Sequence, residues 1–76
     1  MAEIIVYTSN HCPYCVTAKN LLDRLGQTYQ EINIEESDEA RTEMMEKTGQ
    51  LGVPVIDIDG TVIIGFNQDA IKAALN

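Results

Sequence analysis

The sequence predicts an α/β fold with the element order β-α-β-α-β-β-α, in one domain over residues 1–76. Residues 3–8 form a continuous β-branched and aromatic run, which is typical of a strand at the centre of a sheet. Apolar residues at helical spacing follow this run, and Asp59-Gly60 lies between two later β-branched runs as a preferred hairpin turn. Because a β-α-β unit gives parallel strands and a hairpin gives antiparallel ones, we expect a four-stranded mixed sheet with helices on both faces.

The first half of the chain has the pattern of one β-α-β unit. Pro13 suits the first turn of a helix, and Gly26 fits the position just past its end. Between them, four apolar residues repeat at the spacing of one helix face: Ala18, Leu21, Leu22 and Leu25. Residues 29–34 alternate, with Ile32 and Ile34 on one face, which predicts a second and more exposed strand parallel to the first.

A second helix is predicted after the second strand. Ser37 or Asp38 can cap its start, and Gly49 fits its end. Its expected inner face consists of three residues at helical spacing: Ala40, Met44 and Thr48. We expect the adjacent pair Met44-Met45 to fill the core rather than to bind a ligand.

The last part of the chain predicts a hairpin and a third helix. Residues 53–58 and 61–64 are the two strands of the hairpin. Asn67 can cap the final helix, with Asp69 in its first turn. Four residues of this helix are expected to face inward: Ala70, Ile71, Ala74 and Leu75.

Composition excludes several classes of function. Five Lys and Arg against twelve Asp and Glu give a net charge of −7, which disfavours binding to nucleic acid or to an anionic membrane surface. No apolar run approaches the roughly 20 residues of a membrane span, and no secretion signal is apparent. With two cysteines in 76 residues, we expect a cytoplasmic protein in a reducing compartment.

The two cysteines, Cys12 and Cys15, have the spacing that thiol–disulfide exchange requires. One thiolate attacks a disulfide sulfur, and a second thiol close by resolves the mixed disulfide. If Pro13 opens the helix, Cys12 lies at its N-terminal edge, where free N–H groups stabilise a thiolate. Cys15 would lie one turn inside and be less exposed. We therefore predict that Cys12 is the nucleophile and Cys15 the resolving cysteine.

Other uses of the cysteines are less well supported by the sequence. A zinc site takes four protein ligands as a rule, whereas Cys12, Cys15 and a poorly placed His11 offer three, so no metal site is predicted. His11 is expected to be a solvated loop residue. A different class of function is an iron–sulfur cluster carrier in which Cys12 of two chains holds the cluster. Pro13 and the competing Cys15 both argue against that alternative.

The combination of motifs resembles the glutaredoxin family over essentially the whole chain. Cys12-Pro13-Tyr14-Cys15 follows the first strand, Val53-Pro54 precedes the hairpin, and Gly65 and Asp69 come before and within the last helix. The resemblance implies the thioredoxin fold, with Pro54 in a cis peptide bond beside the dithiol. It also implies that the backbone of Val53 pairs with the backbone of the substrate, and that the protein serves electron transport and cell redox homeostasis.

The resemblance also implies a glutathione site. Tyr14, Gln50, Val53 and Asp69 occupy positions at which glutaredoxins contact glutathione, beside Pro54. Gln68-Asp69 opens the last helix, so that its N–H groups can hold the γ-glutamyl carboxylate. Four positions depart from the usual family residues, and two of them lack a cation that is often present: Ser9, Leu51, Gly52 and Phe66.

Residues 65–69 are more similar to the glutaredoxin-like redoxins that serve ribonucleotide reductase and take electrons from thioredoxin reductase. Two electron donors therefore remain open, glutathione and thioredoxin reductase. In either case, we expect a monomeric oxidoreductase that reduces protein disulfides or glutathione mixed disulfides. Glutathione would be a co-substrate, and no tightly bound cofactor is expected.

Overall fold

The computed structural model describes residues 3–75, so residues 1, 2 and 76 of the predicted domain lie outside the described part. Residues 3–75 form seven elements in the predicted order. They are β1 (Ile4–Thr8), α1 (Pro13–Arg24), β2 (Gln30–Asn33), α2 (Asp38–Thr48), β3 (Val55–Ile58), β4 (Thr61–Ile64) and α3 (Gln68–Leu75). The bounds agree with the sequence prediction to within two residues. The largest difference is at β3, which begins after Pro54.

The strands form a mixed sheet in the order β2-β1-β3-β4, with β1 in a central position as predicted. β1 pairs with β2 in parallel and with β3 in antiparallel fashion, and Tyr7 lies between Ile32 and Val55. α1 and α3 cover one face around Leu22 and Ile71, and α2 covers the other face through Met44. Within residues 3–75, no helix has the length and apolar character needed to cross a membrane.

The turns and helix ends follow from local chemistry. Ser37 Oγ accepts the N–H of Ala40 at 3.2 Å, and Gly49 ends α2 with a φ of 74°. Asp59 and Gly60 have φ values of 51° and 91°, and a type I′ hairpin turn requires positive φ at both positions. One core prediction was wrong, because Met45 is 41% exposed. Met44 and Met45 are adjacent on a helix, so they face different directions, and Met44 alone is buried.

A polar network connects α2 to the sheet. The buried Tyr7 hydroxyl donates to Glu43 Oε1 at 2.7 Å. Lys47 Nζ donates to Tyr7 Oη at 2.7 Å and to Asp57 Oδ2 at 2.9 Å, and it lies 5.0 Å from the centroid of the Tyr7 ring. Burial raises the pKa of Tyr7, so this hydroxyl remains protonated and can donate. The network fixes the last turn of α2, from which the loop to β3 departs.

A second ion pair connects the edge strand β2 to α1. Glu31 Oε2 accepts from Lys19 Nζ at 2.9 Å and from Thr8 Oγ1 at 3.0 Å. The hydrogen bond from Lys19 lowers the pKa of Glu31, and the bond from Thr8 acts in the same direction. Glu31 therefore joins β2 to the end of β1 and to the middle of α1.

The Lys47 network is predicted to contribute measurably to stability. Lys47→Met keeps the length of the side chain but leaves Asp57, whose side chain is 12% exposed, without its cation. An almost buried carboxylate that loses its partner is costly, so the free energy of unfolding in urea should fall by about 1–3 kcal/mol. Lys72→Met on the exposed side of α3 is the control, with a change of about 0.5 kcal/mol or less. Equal stability of the two variants would contradict this role of Lys47.

The lowered pKa of Glu31 predicts an acid dependence of stability. A carboxyl group whose pKa is depressed by folding contributes stability above its unfolded pKa of about 4.5, and this contribution is lost as the pH falls through the folded value. Urea unfolding from neutral pH to about pH 3 should therefore show a shallower acid decline for Glu31→Gln than for the wild type. Glu36→Gln, which removes an exposed carboxylate, should keep the wild-type slope. Parallel curves for all three proteins would refute the linkage.

Candidate redox site

The backbone places Cys12 and Cys15 at the start of α1. β1 ends at Thr8, a three-residue loop follows, and Cys12 is the N-cap residue, with an extended conformation at φ −137° and ψ 95°. Pro13 is the first helical residue, as its fixed φ and missing N–H favour. The two cysteines form a disulfide, and their Cα atoms are 5.2 Å apart. The structure therefore shows the oxidised form of the pair.

The helix start provides an environment that favours negative charge on Cys12. The Cys15 N–H donates to Cys12 Sγ at 3.2 Å, in the way that a serine or aspartate oxygen would accept at an N-cap. The first turn of α1 contains no acidic residue that would oppose the positive end of the helix dipole. A sulfur at this position can therefore carry a thiolate charge.

Exposure differs between the two cysteines in the predicted direction. Cys12 is half-buried, whereas Cys15 is 2% exposed. Tyr14, between them, is 66% exposed. An incoming disulfide can thus reach Cys12 from solvent, while Cys15 is accessible mainly through Cys12 itself.

A cavity of about 510 Å³ opens beside the disulfide. It is bordered by the end of β1, the following loop and the first turns of α1, and its lining includes both cysteines, Ser9, His11 and Lys19. His11 is exposed, as predicted. The residues with a predicted ligand role do not line this cavity: Tyr14, Gln50, Val53, Pro54, Gln68 and Asp69. Tyr14 lies on α1 between the cysteines, and the others lie on the loop before β3 and at the start of α3.

Lys19 was not singled out from the sequence. It lines the cavity at the dithiol, and its ammonium group is held by Glu31 at 2.9 Å. A signal was available, because Lys19 is four residues after Cys15 and residues at this spacing share one face of a helix. The pairing with Glu31 depends on the register of β2 against β1, in which Glu31 lies beside Val6, and no local pattern specifies that register.

The peptide bond between Val53 and Pro54 is cis, as the resemblance implied. Pro54 is buried, and its carbonyl oxygen accepts the N–H of Gly65 at 2.8 Å, which connects the loop before β3 to the turn before α3. Val53 is half-buried. Within residues 3–75, no protein group forms a hydrogen bond with the backbone N–H or C=O of Val53. Both groups therefore keep their hydrogen-bonding capacity in this part of the chain.

Gln50 is bonded within its own loop. Its side-chain Oε1 accepts the Gly52 N–H at 2.8 Å, and its Nε2 donates to the Gly52 carbonyl at 3.2 Å. These two bonds use one lone pair and one N–H of the amide, and one of each remains for the predicted contact with glutathione. The backbone of Gln50 is itself held, because the Thr48 hydroxyl contacts its carbonyl oxygen at 2.8 Å and its N–H at 3.2 Å.

The start of α3 has the predicted form. Asn67 Oδ1 accepts the N–H of Ala70 at 3.1 Å, and Gln68 and Asp69 are exposed in the first turn. Phe66 is half-buried and packs against the core beneath α1 and α3. Within the described range, 3–75, no cluster of three or more His, Cys, Asp or Glu residues is arranged to hold a metal ion.

Comparison with known proteins identifies the family. The sequence model of the glutaredoxin family matches residues 4–63. The chain is 42% identical over 68 residues to a glutaredoxin of Pseudomonas aeruginosa, a match that covers 90% of this chain and 81% of the relative.

Solved structures are also similar to this chain. The glutaredoxin-like protein NrdH-redoxin of Escherichia coli, which has a thioredoxin-like activity profile, superposes with a TM-score of 0.82 at 28% identity. This match covers 93% of this chain and 92% of the other. A buckwheat glutaredoxin in complex with glutathione gives 0.72 at 33% identity, and covers 84% and 61% of the two chains.

The sheet order, the helices on both faces and these superpositions confirm the thioredoxin fold. The cysteine pair at the start of α1 lies within the part of the chain that the family model matches. The chain therefore belongs to the glutaredoxin family and is a thiol redox protein.

Proposed function

We propose that this protein reduces disulfides by thiol–disulfide exchange, with Cys12 as the nucleophile and Cys15 as the resolving cysteine. The observation that carries the proposal is the hydrogen bond from the Cys15 N–H to Cys12 Sγ at the N-terminus of α1. This bond and the helix dipole both stabilise a thiolate at Cys12. Burial of Cys15 keeps it from competing for substrates in solution.

The proposed reaction has two exchange steps. The Cys12 thiolate attacks one sulfur of the substrate disulfide, forms a mixed disulfide and releases the other sulfur as a thiolate, which takes a proton from water. Cys15 then loses its proton and attacks Cys12 Sγ, which releases the second substrate thiolate and closes the Cys12–Cys15 disulfide. Two electrons have passed to the substrate. The product is the oxidised form that the structure shows.

The loop before β3 is proposed to hold the substrate during attack. The free N–H and C=O of Val53 can pair with an extended substrate backbone, and each such pair contributes about 0.5–1.5 kcal/mol. Because these contacts involve backbone only, they suit both a protein disulfide and a glutathione mixed disulfide.

We propose glutathione as the electron donor, acting as a co-substrate, with thioredoxin reductase as the alternative. The glutathione complex of the buckwheat relative and the exposed first turn of α3, where N–H groups can hold a carboxylate, support glutathione. The net charge of −7 and the similarity to NrdH-redoxin favour the alternative. A dithiol that is regenerated in this way requires a reducing compartment, so we propose that the protein is cytoplasmic. We also propose that it acts as a monomer.

The two cysteine roles predict different losses in two assays. Cys12→Ser should abolish exchange with every substrate, because it removes the attacking sulfur. Cys15→Ser should retain activity on a glutathionylated peptide, since free glutathione can release the mixed disulfide, and should lose most of its activity on a protein disulfide. Preferential labelling of Cys12 by iodoacetamide at neutral pH is the accompanying check. Preferential labelling of Cys15 would reverse the assignment.

The choice of donor can be tested at position 9. Ser9 lines the cavity beside Cys12, and Ser9→Lys adds a cation there. A partly exposed contact with the anionic tripeptide would lower the KM for a glutathionylated peptide about three- to tenfold and make it more salt-dependent. Ser9→Gln is the control for side-chain length. If KM responds to neither substitution and thioredoxin reductase with NADPH sustains turnover, the alternative donor is correct.

A further inference from the structure

Gln50 and Gly52 form a two-point contact that we call the Gln50 clamp. The amide oxygen accepts the Gly52 N–H at 2.8 Å, and the amide nitrogen donates to the Gly52 carbonyl at 3.2 Å. Both backbone polar groups of one residue are thereby satisfied by one side chain. The clamp encloses Leu51, whose side chain is left exposed, and it ends one residue before Val53.

The clamp is one of three contacts that fix the loop between α2 and β3. The Thr48 hydroxyl holds the backbone of Gln50 at the end of α2, and the Gly65 N–H holds the carbonyl of Pro54. The Gln50 clamp holds residues 50–52, which lie between these two contacts. Val53, which lies between Gly52 and Pro54, retains free polar groups within the described range of 3–75. The loop is thus held on both sides of the backbone that is proposed to receive substrate.

The absence of a side chain at Gly52 leaves room for the Gln50 amide. A Cβ atom built on Gly52 would lie 2.5 Å from Gln50 Oε1, which is closer than real Cβ contacts. The φ of Gly52 is not in the left-handed region, so its backbone conformation suits an alanine. The obstacle is therefore the end of the Gln50 side chain, which is flexible and would move aside. The space beside Gly52 is filled by the amide that clamps it.

We propose that Gln50 is a positioning residue that sets the orientation of the Val53 backbone toward the substrate, and that it does not itself contact glutathione. The proposal rests on the proposed function, because it assigns Gln50 a role in presenting Val53 to a substrate attacked by Cys12. It also gives Gly52 a role, since a side chain at this position displaces the clamp. The specificity of this loop then depends on backbone geometry, and the amide acts through its two bonds to Gly52.

The test compares Gln50→Ala, Gly52→Ala and the double variant with the wild type. Each single variant breaks the same clamp, so kcat/KM should fall about three- to tenfold for a glutathionylated peptide and for a protein disulfide alike. The double variant should lose no more than either single variant, because the shared contact can be lost once. Alkylation of Cys12 by iodoacetamide, which has no backbone to pair with Val53, should keep its wild-type rate. Hydrogen exchange at the Gly52 amide should accelerate in all three variants.

Three results would overturn the proposal. A higher KM for the glutathionylated peptide alone in Gln50→Ala, with Gly52→Ala unaffected, would make Gln50 a ligand contact. Additive losses in the double variant would mean that the two residues act separately. Unchanged exchange at the Gly52 amide in Gln50→Ala would mean that the clamp is not formed in solution. By contrast, a wild-type protein without any exchange activity would overturn the proposed function itself, whatever the state of the clamp.

Discussion

The hydrogen bond between the Cys15 N–H and Cys12 Sγ is the contact around which the redox site is organised. It uses a sulfur where most helices use an oxygen as the N-cap, so the start of the helix and the reactive atom coincide. Pro13 makes this start definite, because it fixes the helical φ and has no N–H that would need a partner. The same turn that exposes Cys12 buries Cys15. The geometry, the charge stabilisation and the proposed division of roles thus have one structural origin.

The rest of the site depends on how the loop before β3 is held against this helix start. β1 and β3 are antiparallel neighbours in the sheet. The loop that leads from β1 to Cys12 and the loop that leads into β3 therefore lie at the same end of these two strands. The hydrogen bond between Lys47 and Tyr7 fixes α2 on the sheet. At the end of α2, the Thr48 hydroxyl donates to the Gln50 carbonyl and so holds the start of the loop. Buried polar contacts of this kind define one geometry, because each requires its particular partners.

Sequence reasoning predicted the order of the elements, the type of hairpin and the helix caps, because each depends on a local residue preference. Asp59-Gly60 and Ser37 are examples in which a few neighbouring residues determine the conformation. The positions of Cys12 and Cys15 were also accessible, since a proline and a two-residue spacing fix where they lie on the helix. Contacts between distant parts of the chain were not accessible. Lys19 pairs with Glu31 of β2 and Lys47 with Asp57 of β3, and no local pattern specifies either pair.

Gln50 shows how the structure adds bonding partners that a family resemblance does not specify. The resemblance indicates which residue occupies a position, whereas the hydrogen bonds of its side chain depend on the neighbouring residues. Gly52 stands where a threonine is frequent in the family, and its missing Cβ leaves the space in which the amide of Gln50 lies. The two bonds to Gly52 hold the Gln50 amide in one orientation, and a ligand can use only the remaining lone pair and N–H unless the loop is reorganised. In the proposed function, substrate recognition at this loop uses backbone pairing, which does not depend on the net charge of −7. The proposed regeneration by glutathione, an anionic tripeptide, does depend on that charge, so the two halves of the proposed cycle place different electrostatic demands on one small surface.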